Sequence, residues 1–305
     1  MTSTESQYQK CIDNSERVTW TVNDVLSASF EFKKRFLPET LAQVNELTGL
    51  SSSERLLLNQ IRALTYAHLF GFVEEFIVRE VMVLASRYSA EQAVERRALL
   101  RFAEEEVKHQ ILFERVKASV LERHGGCGLV PGVDAVAGVV LQKSELCILL
   151  LTVMLELMTQ HHYTDIFRSS EERESLDPTF VKIFKSHWIE ESQHVRLDEL
   201  EIDRNVAASD EVARETAIDE LLEIGGAFDG LLKAQVDLDI ESLERLAGRK
   251  LAEPEKLNVG MVQHRAYRYT FLVSALKNQR FREMVGSLTK NGLAKIDAAA
   301  AALSA

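Results

Sequence analysis

Only four prolines (Pro38, Pro131, Pro178 and Pro254) and fourteen glycines interrupt 305 residues, and this scarcity of chain-breakers narrows the possible folds most. Proline and glycine are the residues a helix interior tolerates least. Long spans without them can run as uninterrupted helices. Extended alternations of β-branched residues, the mark of strands, do not appear. The expectation is an all-α chain, and a hydrophobic content of 46% is ample for its core.

Start and stop signals divide these spans. Ser51 with Glu54 forms a capping box that opens a helix running to about Ser86. Ser89 with Gln92 opens a second, to about Arg123, where the glycine-rich His124-Gly125-Gly126-Cys127-Gly128 ends it. A third covers roughly Lys143 to Phe167. After the polar loop Arg168 to Leu176, Asp177-Pro178 pairs an N-cap aspartate with proline at the first helical position and starts a fourth, which passes Asp198. The first twenty residues read as a mobile tail, and a short helical stretch ends at the Phe36-Leu37-Pro38 corner. From Pro131-Gly132 to about Gln142 the chain is irregular. Residues after about 210 read as amphipathic helices punctuated at Gly225-Gly226 and Pro254, with a fraying alanine-rich end, Asp297 to Ala305. Neither a solenoid repeat nor a dividing linker is evident. One domain over 1–305 is expected, with a core at about 51–206 and further helices at about 210–298.

A net charge of −11 and a pI of about 5.3 argue against nucleic acid or an anionic membrane as partner. Cys11, Cys127 and Cys147 are too scattered for a disulfide framework or a zinc module. The polar N-terminus lacks a signal peptide's apolar stretch. The apolar run Leu146 to Met158 is too short to span a bilayer and carries Glu156. A reduced, cytoplasmic protein is expected.

Two Glu-x-x-His pairs carry the chemistry, Glu106 with His109 in the second helix and Glu191 with His194 in the fourth. Residues three apart share a helix face. Di-iron carboxylate bundles place one such pair on each of two helices and a single glutamate on each of the others. One copy alone reads as a solvated face, but these lie on apolar stripes. Leu99, Phe102, Phe113 and Val116 flank the first pair, and Phe180 and Phe184 lead into the second. Ionised carboxylates rarely occupy such stripes unless paired or metal-bound. Glu156 is sharper still. Embedded between Leu149 and Met158, it has no side facing water and must be protonated, salt-bridged or on a metal.

The first helix offers Glu74 and Glu75. Glu74 projects opposite the Arg55, Arg62 and Glu80 side and is preferred, whereas Glu75 has Arg79 as a surface partner four residues on. His187 stands four residues before Glu191 and seven before His194, so the fourth helix presents three candidate ligands on one face. Depth agrees, since Glu74 and Glu106 are equidistant from residue 90, and Glu156 and Glu191 from the loop before Asp177. The long segment between the second and third helices suits the crossover of a ferritin-like bundle. Four carboxylates and three imidazoles without thiolates favour iron or manganese over structural zinc.

The order Glu74, Glu106-x-x-His109, Glu156, His187-x-x-x-Glu191-x-x-His194 resembles the non-haem di-iron N-oxygenases typified by p-aminobenzoate N-oxygenase. The histidine at the position of His187, the Phe36-Leu37-Pro38 corner and Leu57-Leu58-Asn59-Gln60 carry the likeness, which covers roughly residues 30–200. The resemblance implies a ferritin-like four-helix di-iron bundle with additional terminal helices. It also implies two iron ions bridged by Glu106 and Glu191, dioxygen bound as a peroxo species, and oxidation of an arylamine to hydroxylamine and nitro products in a natural-product pathway. The partners it implies are a small-molecule amine and an external electron donor, protein or small reductant. A homodimer is compatible with it. Iron with manganese, and C-hydroxylation in place of N-oxygenation, stay open. A ferritin-type iron-handling protein and a metal-free helical interaction protein are the alternatives from other classes.

Other residues carry weaker readings. His161 and His162 stand one turn beyond Glu156 but near a helix end, and they, His68, His124 and His264 read as ordinary structural or surface histidines. Asp198 is a candidate acceptor for a ligand imidazole, or a surface aspartate. Tyr163 stands at pocket-bordering spacing. The basic stretch 256–285 reads as a solvated helix face.

Overall fold

A computed structural model describes residues 3–131, 138–169 and 171–304. Nine helices organise it: α1 (Ser3–Ser15), α2 (Ser52–Arg87), α3 (Ala93–Arg123), α4 (Glu145–His161), α5 (Pro178–Ala208), α6 (Glu211–Ala247), α7 (Glu253–Arg268), α8 (Gln279–Leu288) and α9 (Gly292–Ser304), with short helical turns between them. Among the described residues there is no strand, and one isolated bridge pairs Arg35 with Leu176. The fold is all-α. Helices α2 and α3 pack as one antiparallel hairpin and α4 and α5 as another, while α6 packs against both α2 and α4. The long connection between the hairpins makes this a ferritin-like arrangement with a single crossover.

The helix starts lie where the capping chemistry puts them. Ser51 and Glu54 close their reciprocal box at the start of α2, and the Asp177 side chain accepts from the Phe180 amide at the start of α5. The second box, Ser89 with Gln92, forms a tight turn, and α3 proper begins at Ala93. Asn59 and Gln60 bind the preceding loop onto α2. Asn59 accepts from the Phe36 and Leu37 amides and donates to the Leu37 carbonyl, and Gln60 donates to the carbonyls of Phe32 and Lys34.

Several expectations need correction. Residues 3–15 are not a tail. They form α1, whose Tyr8, Cys11, Ile12 and Ser15 make a buried stripe against α3 and α5. Gly225-Gly226 does not punctuate a helix but lies inside the 37-residue α6, which ends at Gly248 in the left-handed region. The alanine-rich end is the helix α9, held by buried Ile296 and Ala300. Helix α4 continues through a wide π-turn, His162–Phe167. The apolar helix Glu145–Phe167 is therefore 23 residues long, enough by length and composition to cross a membrane, but 89% of its most apolar window is buried in the protein. Of the segment expected to be irregular, Pro131 to Gln142, residues 132–137 lie outside the described residues, and 138–140 form a short helical turn.

Glu80, on α2, is buried with Oε1 unpartnered among the described residues. Burial, aided by Glu145, pushes its carboxyl up to about 7. The folded state thus holds this proton more tightly than the unfolded chain does. Its stabilising effect is complete below the ordinary carboxylate range and is lost as pH rises through 7. Glu80→Gln is expected to raise the melting temperature by roughly 2–4 °C at pH 8 and by little at pH 4. An equal change at both pH values in a thermal-melt comparison would contradict this assignment.

Candidate metal centre

Four helices bring the seven candidate ligands to one level of the bundle. Glu74 comes from α2, Glu106 and His109 from α3, Glu156 from α4, and His187, Glu191 and His194 from α5. None is more than 3% exposed. Their donor atoms form two sets, Glu74 with His109 and His187, and Glu106 with Glu156, Glu191 and His194. Within each set the atoms lie within 4.8 Å of one another.

Glu191 connects the sets. Its Oε1 is 2.8 Å from His187 Nε2 and 3.2 Å from His109 Nδ1, while its Oε2 is 3.2 Å from His194 Nδ1. Glu106 Oε1 lies between the same imidazoles, 2.8 Å from His194 Nδ1 and 3.7 Å from His109 Nδ1. Glu74 Oε1 is 3.2 Å from His187 Nε2, and Glu156 Oε1 is 3.9 Å from His194 Nδ1. Of the two neighbouring glutamates, Glu74 faces the imidazoles, whereas Glu75 is half-exposed and accepts from Arg79 at 2.6 Å.

The donor set fits two cations. Both Glu74 oxygens, Glu106 Oε1, Glu156 Oε2, Glu191 Oε1 and His109 Nδ1 are buried and make no hydrogen bond of proper geometry among the described residues, although imidazole nitrogens crowd several of these oxygens. Unpaired buried acceptors on this scale are costly unless a cation satisfies them. Four carboxylates are balanced by two divalent ions, and oxygen with imidazole ligands suits iron or manganese.

The electrostatics show the same demand for positive charge. Burial, with Glu106 next, pushes the Glu74 carboxyl well above its ordinary value, and burial likewise raises Glu191. Burial opposes ionisation of Glu106 too, but His109 and His194 hold it low. Burial would pull both of these imidazoles down, yet their carboxylate neighbours outweigh it and hold them well above the usual histidine range. His187 is the exception. Burial, then the charge on His109, keeps it far below that range and so neutral, the form in which imidazole binds a metal.

Sequence reading missed the groups that aim these imidazoles. Glu190 Oε2 lies 2.8 Å from His109 Nε2, and Glu105 Oε2 lies 2.9 Å from His194 Nε2. Each helix's carboxylate thus holds the other helix's histidine by the ring nitrogen facing away from the centre, leaving Nδ1 facing inward. The one available signal was a glutamate immediately before each Glu-x-x-His. Trp20 stacks parallel to His109 at 5.9 Å, and Phe102 stacks on His194 at 4.0 Å. Glu105→Ala or Glu190→Ala should weaken metal retention by roughly 10–100-fold in a chelator competition. Unchanged retention in both would show that these contacts position nothing.

The remaining candidates fall elsewhere. Asp198 is buried, but the outer nitrogen of His194 goes to Glu105, so Asp198 does not fill the acceptor role. His162 is buried 2.5 Å from the Tyr66 hydroxyl, and His161 contacts Asp165. His68, His124 and His264 bond to the Val130 carbonyl, Gln60 and Asp229. Tyr163 packs on Trp188 and does not line the cleft at the carboxylates. In the basic stretch, Arg265, Arg268, Arg280 and Arg282 pair with Glu46, Asp229, Glu199 and Asp297.

No family model matches the chain, and no curated protein matches it. Among solved structures it is similar to R2-like ligand-binding oxidases with an aerobically reconstituted Mn/Fe cofactor. One variant is 16% identical with a TM-score of 0.48, covering 89% of this chain and 92% of its own. Another is 16% identical with a TM-score of 0.49 over the same shares.

Proposed function

We propose that this chain is a non-haem di-iron oxygenase that uses dioxygen to N-oxygenate an amine, an arylamine by the resemblance of its ligand order. The observation that carries this reading is Glu191, whose two oxygens face the two donor sets and so tie them into one dinuclear site. Glu74, His109 and His187 would hold one iron, Glu106, Glu156 and His194 the other, with Glu191 and Glu106 between them. Two bound iron ions supply reduction of dioxygen, which the protein's own side chains cannot perform.

The rest is positioning and exclusion of water. Glu105 and Glu190 fix the ring orientation of His194 and His109, and Phe102 and Trp20 cover the outer faces of those rings. Phe70, Val73, Ile77 and Leu155 line the cleft beside the carboxylates and present hydrocarbon to it. In the overall reaction one oxygen atom joins the amine nitrogen and the other leaves as water. The two electrons and two protons come from an external donor, and repetition carries the hydroxylamine towards the nitro product.

The test is dioxygen uptake by the Fe(II)-loaded protein with a chemical reductant and a panel of arylamines, with products read by mass spectrometry under ¹⁸O₂. Hydroxylamine or nitro product carrying the label supports the reading. Uptake with unlabelled or carbon-hydroxylated product would overturn the N-oxygenation part, and absence of amine-dependent uptake would overturn the whole.

A further inference from the structure

A cavity of about 300 Å³ lies between α2, α4, α6 and the C-terminal helices. That size falls at the lower end of small-molecule sites. Among the described residues, none that lines it carries a polar side chain; Phe76, Met154, Leu221, Phe228, Phe271 and Leu276 are typical of its wall. Its inner end abuts the cleft at the candidate metal centre. Val73 and Leu155 line both this cavity and the cleft at the carboxylates, and each directly precedes a candidate ligand, Glu74 and Glu156. Its outer end reaches solvent at exposed Val139 and at the Gly225-Gly226-Ala227 stretch of α6.

Two features of the wall are costly to the fold and fall on this cavity. Consecutive glycines in mid-helix weaken α6, yet a Cβ at Gly225 would meet nothing within 4 Å. The space they leave belongs to the cavity mouth. Also in the wall, Phe271 and Leu272 sit in a π-turn, Tyr269–Val273, a distortion that recurs at functional sites.

We infer that the cavity holds the body of the substrate, and that this body is hydrocarbon: an alkyl-substituted arylamine with its only polar group, the amine, placed past Val73 and Leu155 at the metals. The inference rests on the oxygenase reading for what happens at the amine, but not for what fills the cavity. A second polar group short of the mouth, such as the carboxylate that p-aminobenzoate carries one ring away from its amine, would be buried without a partner among the described residues of this wall.

The experiment is calorimetric binding of a para-alkylaniline series, from aniline to octylaniline, to the iron-loaded full chain, kept anaerobic and without reductant so that no turnover occurs. Affinity is expected to rise about fourfold per added methylene until the cavity is filled. p-Aminobenzoate is expected to bind more weakly than p-toluidine. Gly225→Leu should weaken the longest ligand about tenfold while leaving the melting temperature unchanged or higher. Gly230→Leu, the same change in open space off the cavity on the same helix, should leave binding as it was. Affinity independent of chain length, or equal effects of the two leucine variants, would overturn the inference. So would a Gly225→Leu variant that changes only self-association. Chain-length-dependent binding without amine-dependent dioxygen uptake would sink the oxygenase reading and leave the cavity assignment standing. Uptake with length-independent binding would do the reverse.

Discussion

Alanine at Glu191 is expected to reduce bound metal from about two ions per chain to well under one after anaerobic Fe(II) loading and desalting. The size of the effect follows from the geometry. Glu191 Oε1 stands with His187 and His109, and Oε2 with His194, so one truncation takes a donor from both sets. It also removes the negative charge that stands between the imidazoles of His109 and His194. Helix content should be preserved, because Glu191 lies in mid-α5 and alanine is the best helix former. Circular dichroism with metal analysis separates ligand loss from unfolding. Two ions retained by a folded variant would remove Glu191 from the site.

His187→Ala should act on one set only. It leaves Glu74 and His109 as the undivided donors of that set, while Glu106, Glu156, Glu191 and His194 remain together. The expected stoichiometry is about one ion per chain, with amine-dependent dioxygen uptake reduced by at least roughly 100-fold because reduction of dioxygen in this scheme uses both irons. Loss of both ions would mean that the two sets assemble only together. Full retention would place His187 outside the site, despite its neutral form and its 2.8 Å approach to Glu191.

The four core helices and the level of the site were legible in the sequence because they depend on local rules. Ser51 with Glu54, and Asp177 with Pro178, mark helix starts by their own hydrogen bonds. The three- and four-residue spacings of His187, Glu191 and His194 place them on one face whatever surrounds them. Glu156 announced itself as the one charged residue in the apolar run Leu146 to Met158. What escaped notice depends on contacts between distant segments. Glu105 and Glu190 point about 100° around their helices from the ligands beside them and look like solvated residues until α3 and α5 are brought together. The polar composition of residues 3–15 hid the apolar stripe of α1, and Trp20, in the segment that follows α1, meets His109 from nearly ninety residues away in sequence. Gly225-Gly226 resembled a break because its reason, the open space against α2 and α4, is set by other helices.

The most direct test of the dinuclear site is iron content per chain after anaerobic Fe(II) loading and desalting, followed by exposure to dioxygen under optical detection. The account predicts about two irons per chain and a transient visible absorption on oxygen exposure. No stoichiometric metal would contradict it, and the buried glutamates and imidazoles of α2 to α5 would then need another partner.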